Sequence, residues 1–384
     1  MSFDFSTASR IIFGNGTVKD AGKLATQFGS NAFLVTSCGG TDPLQIMDIL
    51  KAAGIHYTSI EVCGEPTVGI VLEAVQAAKK NQSDLVISFG GGSVIDTGKA
   101  VAAVLTNPGD VMDYLEVVGR GHPLLQPSMP MIAIPTTAGT GSEVTRNAVL
   151  AVPEQQVKVS LRSPFILPRL ALVDPELTFE LPPAITASTG MDALTQVIEP
   201  YVSTRANEMV DLYCREGIMR AARSLKLVFH HADYVEGRVD MAWASLLGGL
   251  CLANAGLGAA HGFAAPIGGM FTAPHGAVCA RLLPIVVEAN CRVLRERQPE
   301  NPVISRYAEI ARILCNNNDA TIEDGIEWLK QLRSDLQIPP LSDYGVRKSD
   351  IGILVQKSTA ASSMKANPIQ LTATEMADIL EKAL

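Results

Sequence analysis

Apolar residues in the first half of the chain fall in short β-rich runs, separated by stretches in which they recur every three or four positions. The runs RIIFG (Arg10 to Gly14), NAFLVTS (Asn31 to Ser37), YTSIEV (Tyr57 to Val62), LVISFG (Leu85 to Gly90), MIAIPTT (Met131 to Thr137) and LALVDP (Leu170 to Pro175) predict strands. The intervening segments Val18 to Gln27, Pro43 to Ala53, Thr67 to Lys80 and Ser93 to Leu105 predict helices with one apolar face. Such alternation describes a parallel sheet covered by helices. After Pro182-Pro183 the β signal fades, and the rest reads as helix joined by short polar connections such as NNND and QIPPLSD. The expected architecture is an α/β domain over residues 1–183 followed by an all-α domain over 184–384. The cleft between them is the default place for a site.

Composition narrows the partners. With 47% hydrophobic and 18% charged residues, the 384-residue chain has ample material for two buried cores. A formal net charge of −8, with no cluster of Lys and Arg, argues against nucleic acid or an anionic membrane. The cysteines (Cys38, Cys63, Cys214, Cys251, Cys279, Cys291, Cys315) are scattered without a CxxC pair, so neither a disulfide framework nor a thiolate zinc site is expected. That pattern and a start without a secretory signal suit a reducing, cytoplasmic setting. The charge-poor run from Met241 to Ala280 is rich in Ala and Gly and carries Ser245 and Asn254. It reads as close-packed internal helix, not as a membrane span.

Three segments carry candidate chemistry. In SFGGGSVIDTGKA an apolar strand runs into Gly90, Gly91, Gly92 and Ser93 and then a helix. Glycines allow a pyrophosphate close to the backbone, and free amides at a helix start favour its charge. A ligand-free strand-to-helix turn has the same form, and the segment is not the GxGxxG fingerprint. In IPTTAGTGSEVTRNAV, Thr136, Thr137 and Thr140 offer hydroxyls for phosphate and ribose, or for capping a helix. Both loops follow strands, and open α/β sheets bind ligands at that edge. In the helical half, Asp192 and Gln196 lie one turn apart on a helix face, and His261 and His275 bracket HGFAAPIGGMFTAPH. Pro266, Gly268, Gly269 and Pro274 are expected to break the helix there, leaving the histidines on separate elements. An Asp with two His suits a divalent metal or a hydrogen-bonded interior cluster.

Taken in order, FGNG near the start, GGGSVIDTGK, PTTAGTGSEVT, ALVDPELT, TGMDAL, and HG followed fourteen residues later by PHG resemble the iron-containing, or group III, alcohol dehydrogenase family over essentially the whole chain. The resemblance implies a dehydroquinate-synthase-like fold with a Rossmann-like dinucleotide-binding first domain and a helical second domain that holds a catalytic Fe2+ or Zn2+. The metal positions of the family, one Asp and three His, map onto Asp192, Gln196, His261 and His275. Gln196 is a departure, because a carboxamide oxygen is a weaker ligand than imidazole, so weaker metal binding or a retained water is expected. A second departure is Ala265, where the family often has a proton-relaying His.

The resemblance places Ser37, Gly90, Gly91, Gly92, Ser93, Asp96, Thr136, Thr137, Thr140 and Lys158 about the cofactor. NAD-preferring relatives carry an Asp at the end of the second strand, where this chain has Ser37, so NADP as well as NAD is expected. The implied reaction is hydride transfer between nicotinamide and a small alcohol or aldehyde, with Asp192, His261 and His275 as the catalytic metal set and a homodimer or larger assembly as the enzyme. The alternatives are a metal-free carbonyl reductase like maleylacetate reductases, a non-redox enzyme of the dehydroquinate-synthase type, and a nucleotide-binding protein without catalysis.

Overall fold

The computed structural model describes residues 2–384. Its strands are β1 (Ile11–Phe13), β2 (Asn31–Ser37), β3 (His56–Val62), β4 (Leu85–Gly90), β5 (Met131–Pro135), β6 (Asn147–Val152), β7 (Val157–Arg162) and β8 (Leu170–Val173). Helices α1 (Ala21–Ala25), α2 (Leu44–Ala52), α3 (Val68–Lys80), α4 (Gly92–Thr106) and α5 (Val111–Tyr114) lie among them. A six-stranded sheet in the order β1-β8-β5-β4-β2-β3 pairs in parallel throughout. The chain leaves β2 for β3 on one side and returns to β4 on the other, so the order reverses between β2 and β4.

The inner strands β2, β4, β5 and β8 read as nearly continuous apolar runs because both faces of the sheet are covered there, whereas edge strand β3 is largely exposed. Phe33, Val35, Val86 and Ala133 join a core with Val71 and Ala74 of α3 and Val101 of α4. Ala32, Leu34, Leu85 and Ile87 join a second core with Leu24 of α1 and Ile46 and Leu50 of α2. The antiparallel pair β6–β7 has no counterpart in the predicted elements. Its alternating burial, with Ala148, Leu150 and Val152 inward, marks a half-covered hairpin, a weaker signal than the buried parallel strands.

Two features correct the reading of the sequence. Cys38 and Cys63 form a disulfide, with Cα atoms 5.0 Å apart, although no disulfide was expected. Parallel pairing of β2 and β3 sets Ser37 opposite Val62, and the next residue of each strand therefore meets its neighbour across 25 residues of sequence. The other is the helix Ala259–Met270, which runs through Pro266.

Two buried charged side chains fasten the loops of this α/β unit. Asp174, just after β8, accepts from the backbone N–H groups of Gly16, Val18 and Glu176, each at 3.0 Å. The FGNG turn and the ALVDPELT segment are thus two halves of one clamp. Lys99, on α4 and fully buried, donates to Ser142 Oγ at 2.7 Å, Thr145 Oγ1 at 2.9 Å and the Asn147 carbonyl at 2.9 Å. Asp96 accepts from Ser142 Oγ and from the Val149 N–H. Both residues tie α4 to the loop after β5 and to β6. Glu143 lies buried nearby. Burial pushes its carboxyl up to about 7, against the opposing pull of a hydrogen bond from its own backbone and of Lys99.

The second compact unit comprises Pro182–Leu384 with Ala138–Thr140 and the first residues through Phe5, the α/β unit being Ser6–Thr137 with Gly141–Leu181. It contains α6 (Pro183–Val202), α7 (Glu208–His230), α8 (Val235–Ala255), α9 (Ala259–Met270), α10 (His275–Arg297), α11 (Val303–Cys315), α12 (Ile322–Asp335), α13 (Ile351–Ala360) and α14 (Ala373–Ala383). Helix α6 is enclosed by α7, α8 and α10 and is buried all round from Gly190 to Val202. Among the described residues no single helix is long and apolar enough to cross a membrane.

Asp174→Ala strands three backbone donors and should cost about 3 kcal/mol, read as a lowered thermal midpoint. The sign for Glu143 is that of an acid raised by folding. Its stabilising contribution is fully present below the ordinary value of 4.5 and is lost as pH rises from there through about 7. Glu143→Gln should therefore match the parent near about pH 5 and gain on it by roughly 2–3 kcal/mol near about pH 8, measured by denaturant unfolding at both values.

Candidate active site

In the helical unit, the candidate metal-binding side chains come from three helices. Asp192 and Gln196 lie one turn apart on α6, His261 is in the first turn of α9, and His275 opens α10. The glycines after the two histidines explain the HG and PHG pairs. A Cβ on Gly276 would sit 2.4 Å from the Ser188 carbonyl oxygen and 3.4 Å from Asp192 Cβ, so only glycine lets α10 press this closely on α6. A Cβ on Gly262 would meet Met364 Cε at 2.8 Å. The expected helix break between the histidines falls only after Met270, because Phe263, Ala264 and Ile267 are core anchors that hold α9 helical through Pro266. The two histidines nevertheless occupy separate helices.

These side chains converge. His261 Nε2 lies 3.3 Å and His275 Nε2 3.9 Å from Asp192 Oδ1. His261 Nδ1 is fixed from behind by Glu199 Oε2 at 2.7 Å, while Glu199 Oε1 accepts from the Ala260 N–H. Gln196 Nε2 donates to Asp192 Oδ2 at 3.0 Å and to the Gly139 carbonyl at 3.1 Å. Asp192 Oδ1, His261 Nε2 and Gln196 Oε1 are buried without a hydrogen-bond partner. Cys279, one turn after His275 on α10, brings its Sγ to 3.7 Å from His275 Nε2. The ligand atoms of Asp192, His261, His275 and Cys279 all lie within 4.8 Å of one another.

Burial alone would raise the Asp192 carboxyl, but His261 and His275 outweigh it and hold it below its ordinary value. Burial would likewise lower His261, yet Cys279, Glu199 and Asp192 raise it well above the usual imidazole range. Burial pushes the Cys279 thiol up to about 12. A compact set of carboxylate, imidazole and sulfur donors with two orphaned, inward atoms fits a divalent cation.

Glu199 and Cys279 were not singled out in the sequence. Both stand at helical spacing from residues that were, Glu199 seven after Asp192 and Cys279 four after His275. Ala265, one turn beyond His261, is half-buried. His230, the last residue of α7, and His231 just after it are exposed and stand apart from this cluster.

In the α/β unit, Gly90 pairs with Pro135 at the carboxyl ends of β4 and β5, and the Thr136 N–H donates to the Gly90 carbonyl. The loops that follow are in contact, since a Cβ on Gly91 would lie 3.3 Å from Thr137. Gly91 caps α4 without a side-chain acceptor, so Gly92 and Ser93 begin a helix whose first amides no cap occupies. Ser37 ends β2 at the same edge, its hydroxyl donating to the Gly39 carbonyl at 2.8 Å. Ser37, Gly90 to Ser93, Thr136 and Thr137 thus border the place where the strand order reverses, whereas Thr140 belongs to the helical unit. Asp96 is engaged in the Lys99 network. Lys158, on β7, has a buried side chain paired with Glu65 at 2.7 Å.

Comparison with known proteins identifies the family of the chain. Residues 8–175 match the family described as iron-containing alcohol dehydrogenase, and residues 186–384 match the C-terminal family of Fe-containing alcohol dehydrogenases. The chain is 35% identical to alcohol dehydrogenase 4 of Schizosaccharomyces pombe, over 97% of this chain and 87% of that protein. It is 31% identical to the NAD-dependent methanol dehydrogenase of Bacillus methanolicus, over 97% of each. A crystal structure of a 1,3-propanediol oxidoreductase superposes with a TM-score of 0.92 at 31% identity, over the whole of both chains. The chain belongs to the iron-containing alcohol dehydrogenase family, oxidoreductases that work with a nicotinamide dinucleotide and a divalent metal.

Proposed function

We propose that this chain is an NAD(P)-dependent alcohol dehydrogenase or aldehyde reductase acting on a small alcohol or aldehyde, with Asp192, His261 and His275 holding the metal. The observation that carries this reading is that Asp192 Oδ1 and His261 Nε2, 3.3 Å apart and beside His275, are buried without an aligned hydrogen bond. A bound divalent metal supplies Lewis-acid polarisation of the substrate oxygen, and the dinucleotide supplies or accepts the hydride.

The chain's own residues orient and insulate. Glu199, bound to His261 Nδ1, fixes the tautomer that turns Nε2 inward. Gln196 occupies Asp192 Oδ2, so that Oδ1 remains directed at the site, and its carbonyl oxygen is left to orient a water or the substrate oxygen. Ala265 offers no group to relay a proton. His275, whose side chain is 35% exposed, is then the residue of this set that meets solvent.

On the sheet edge, Gly90, Gly91, Gly92 and Ser93 bind the pyrophosphate through backbone amides, and Thr136 and Thr137 add hydroxyls. Asp96 and Lys158 act from behind, shaping the loops through their contacts with Ser142 and Glu65. Ser37 presents no carboxylate to a 2′-phosphate, which supports NADP as well as NAD.

Asp192→Ala should lower turnover by a factor of about 10³ or more, while NADPH affinity in a fluorescence titration stays within about two-fold. Loss of both together, or turnover that survives exhaustive chelation, would count against this division of roles. Ser37→Asp should move the kcat/KM ratio towards NAD by about ten-fold or more. An unchanged ratio would remove Ser37 from the cofactor pocket.

A further inference from the structure

Gln196 leaves the metal set one strong protein donor short, and the structure supplies another. We propose that Cys279 is the fourth protein ligand of the metal, completing a set of Asp192, His261, His275 and the Cys279 thiolate, with Gln196 positioning Asp192. This rests on the metal reading above.

The case is geometric. His275 and Cys279 lie four residues apart on α10, the spacing that puts two side chains on one helix face. Cys279 is fully buried, and its Sγ lies within 4.8 Å of the ligand atoms of the other three residues. Asp192 Oδ1 and His261 Nε2 are buried in the same site without an aligned hydrogen bond, so the sulfur does not stand alone. The remaining described free cysteines are distributed differently. Cys214 and Cys251 face each other at 3.4 Å, and Cys291 and Cys315 belong to no such group.

Gln196 is committed elsewhere. Both hydrogens of its amide nitrogen are used, one on Asp192 Oδ2 and one on the Gly139 carbonyl, which is the contact pattern of a group that orients a ligand. On coordination the Cys279 S–H bond breaks, the metal–sulfur bond forms from the thiolate electron pair, and the proton leaves to solvent. No change of oxidation state is involved. A sulfur donor also shifts metal choice towards zinc, which takes thiolate and imidazole together readily.

The test uses the full chain loaded separately with zinc and with cobalt(II). X-ray absorption of the zinc form should contain one sulfur at about 2.3 Å beside nitrogen and oxygen at about 2.0–2.2 Å. The cobalt form should show a thiolate-to-cobalt charge-transfer band that Cys279→Ser loses and that Cys251→Ser and Cys291→Ser keep. Metal affinity should fall by about a hundred-fold or more in Cys279→Ser. Because the wild-type spectra report the sulfur directly, a misfolded variant does not blunt the test. One metal per chain, lost in Asp192→Ala but surrounded by nitrogen and oxygen only, would overturn the role of Cys279 and leave the metal reading standing. Absence of any binding that depends on Asp192 would overturn both.

Discussion

The helical unit is organised around a carboxylate placed where a carboxylate is costly. Asp192 lies in the middle of α6, closed in by α7, α8 and α10, and one of its oxygens has no hydrogen-bond partner. A buried, uncompensated charge of this kind costs several kcal/mol unless a counter-charge meets it. The surroundings are arranged to bring counter-charge and no more. Gln196 satisfies the outward oxygen, His261 is turned inward by Glu199, and His275 reaches Asp192 only because Gly276 allows α10 against α6. The folding cost of the site is thus set by the same atoms that give it affinity for a cation.

The α/β unit solves a related problem at its sheet edge. A phosphate site needs backbone amides that nothing else occupies, and loops left so bare have little to hold them. Here the load is carried from behind. Lys99 and Asp96 pin α4 to the chain around Ser142, Thr145 and Val149, and Asp174 pins the end of β8 to the turn after β1. Much of what makes GGGSVIDTGK and PTTAGTGSEVT distinctive therefore serves to fix the loops, leaving Gly91 to Ser93, Thr136 and Thr137 at the edge.

How much of this was legible follows from the range of each interaction. The parallel strands were plain because burial on both faces makes continuous apolar runs, and α6 was marked by Asp192 and Gln196 at one-turn spacing. The β6–β7 hairpin escaped because only alternate residues are buried. The Cys38–Cys63 bond escaped because it depends on the register of two strands, which no local spacing encodes. Pro266 looked like a helix breaker on propensity, and the tertiary contacts of Phe263 and Ile267 override it. Glu199 and Cys279 were legible in principle, since each lies at helical spacing from a residue already in view. Helical spacing alone does not separate them from core positions, because what distinguishes them is their closeness to side chains on other helices, Glu199 to His261 and Cys279 to Asp192 and His261.

Gln196 and Cys279 are best understood together. Replacing an imidazole by a carboxamide on α6 removes a strong neutral donor, and adding a thiolate on α10 restores a donor that also brings negative charge. With Asp192 that gives two anionic ligands for a divalent ion, so the ion and its four proposed ligands sum to zero, and Glu199 behind His261 adds a further negative charge. That charge balance weakens the pull on a substrate oxygen relative to a set of one carboxylate and three imidazoles. Glu199 works in the same direction by enriching the His261 ring in electrons. A site built this way gains retention of its metal at the expense of polarising strength.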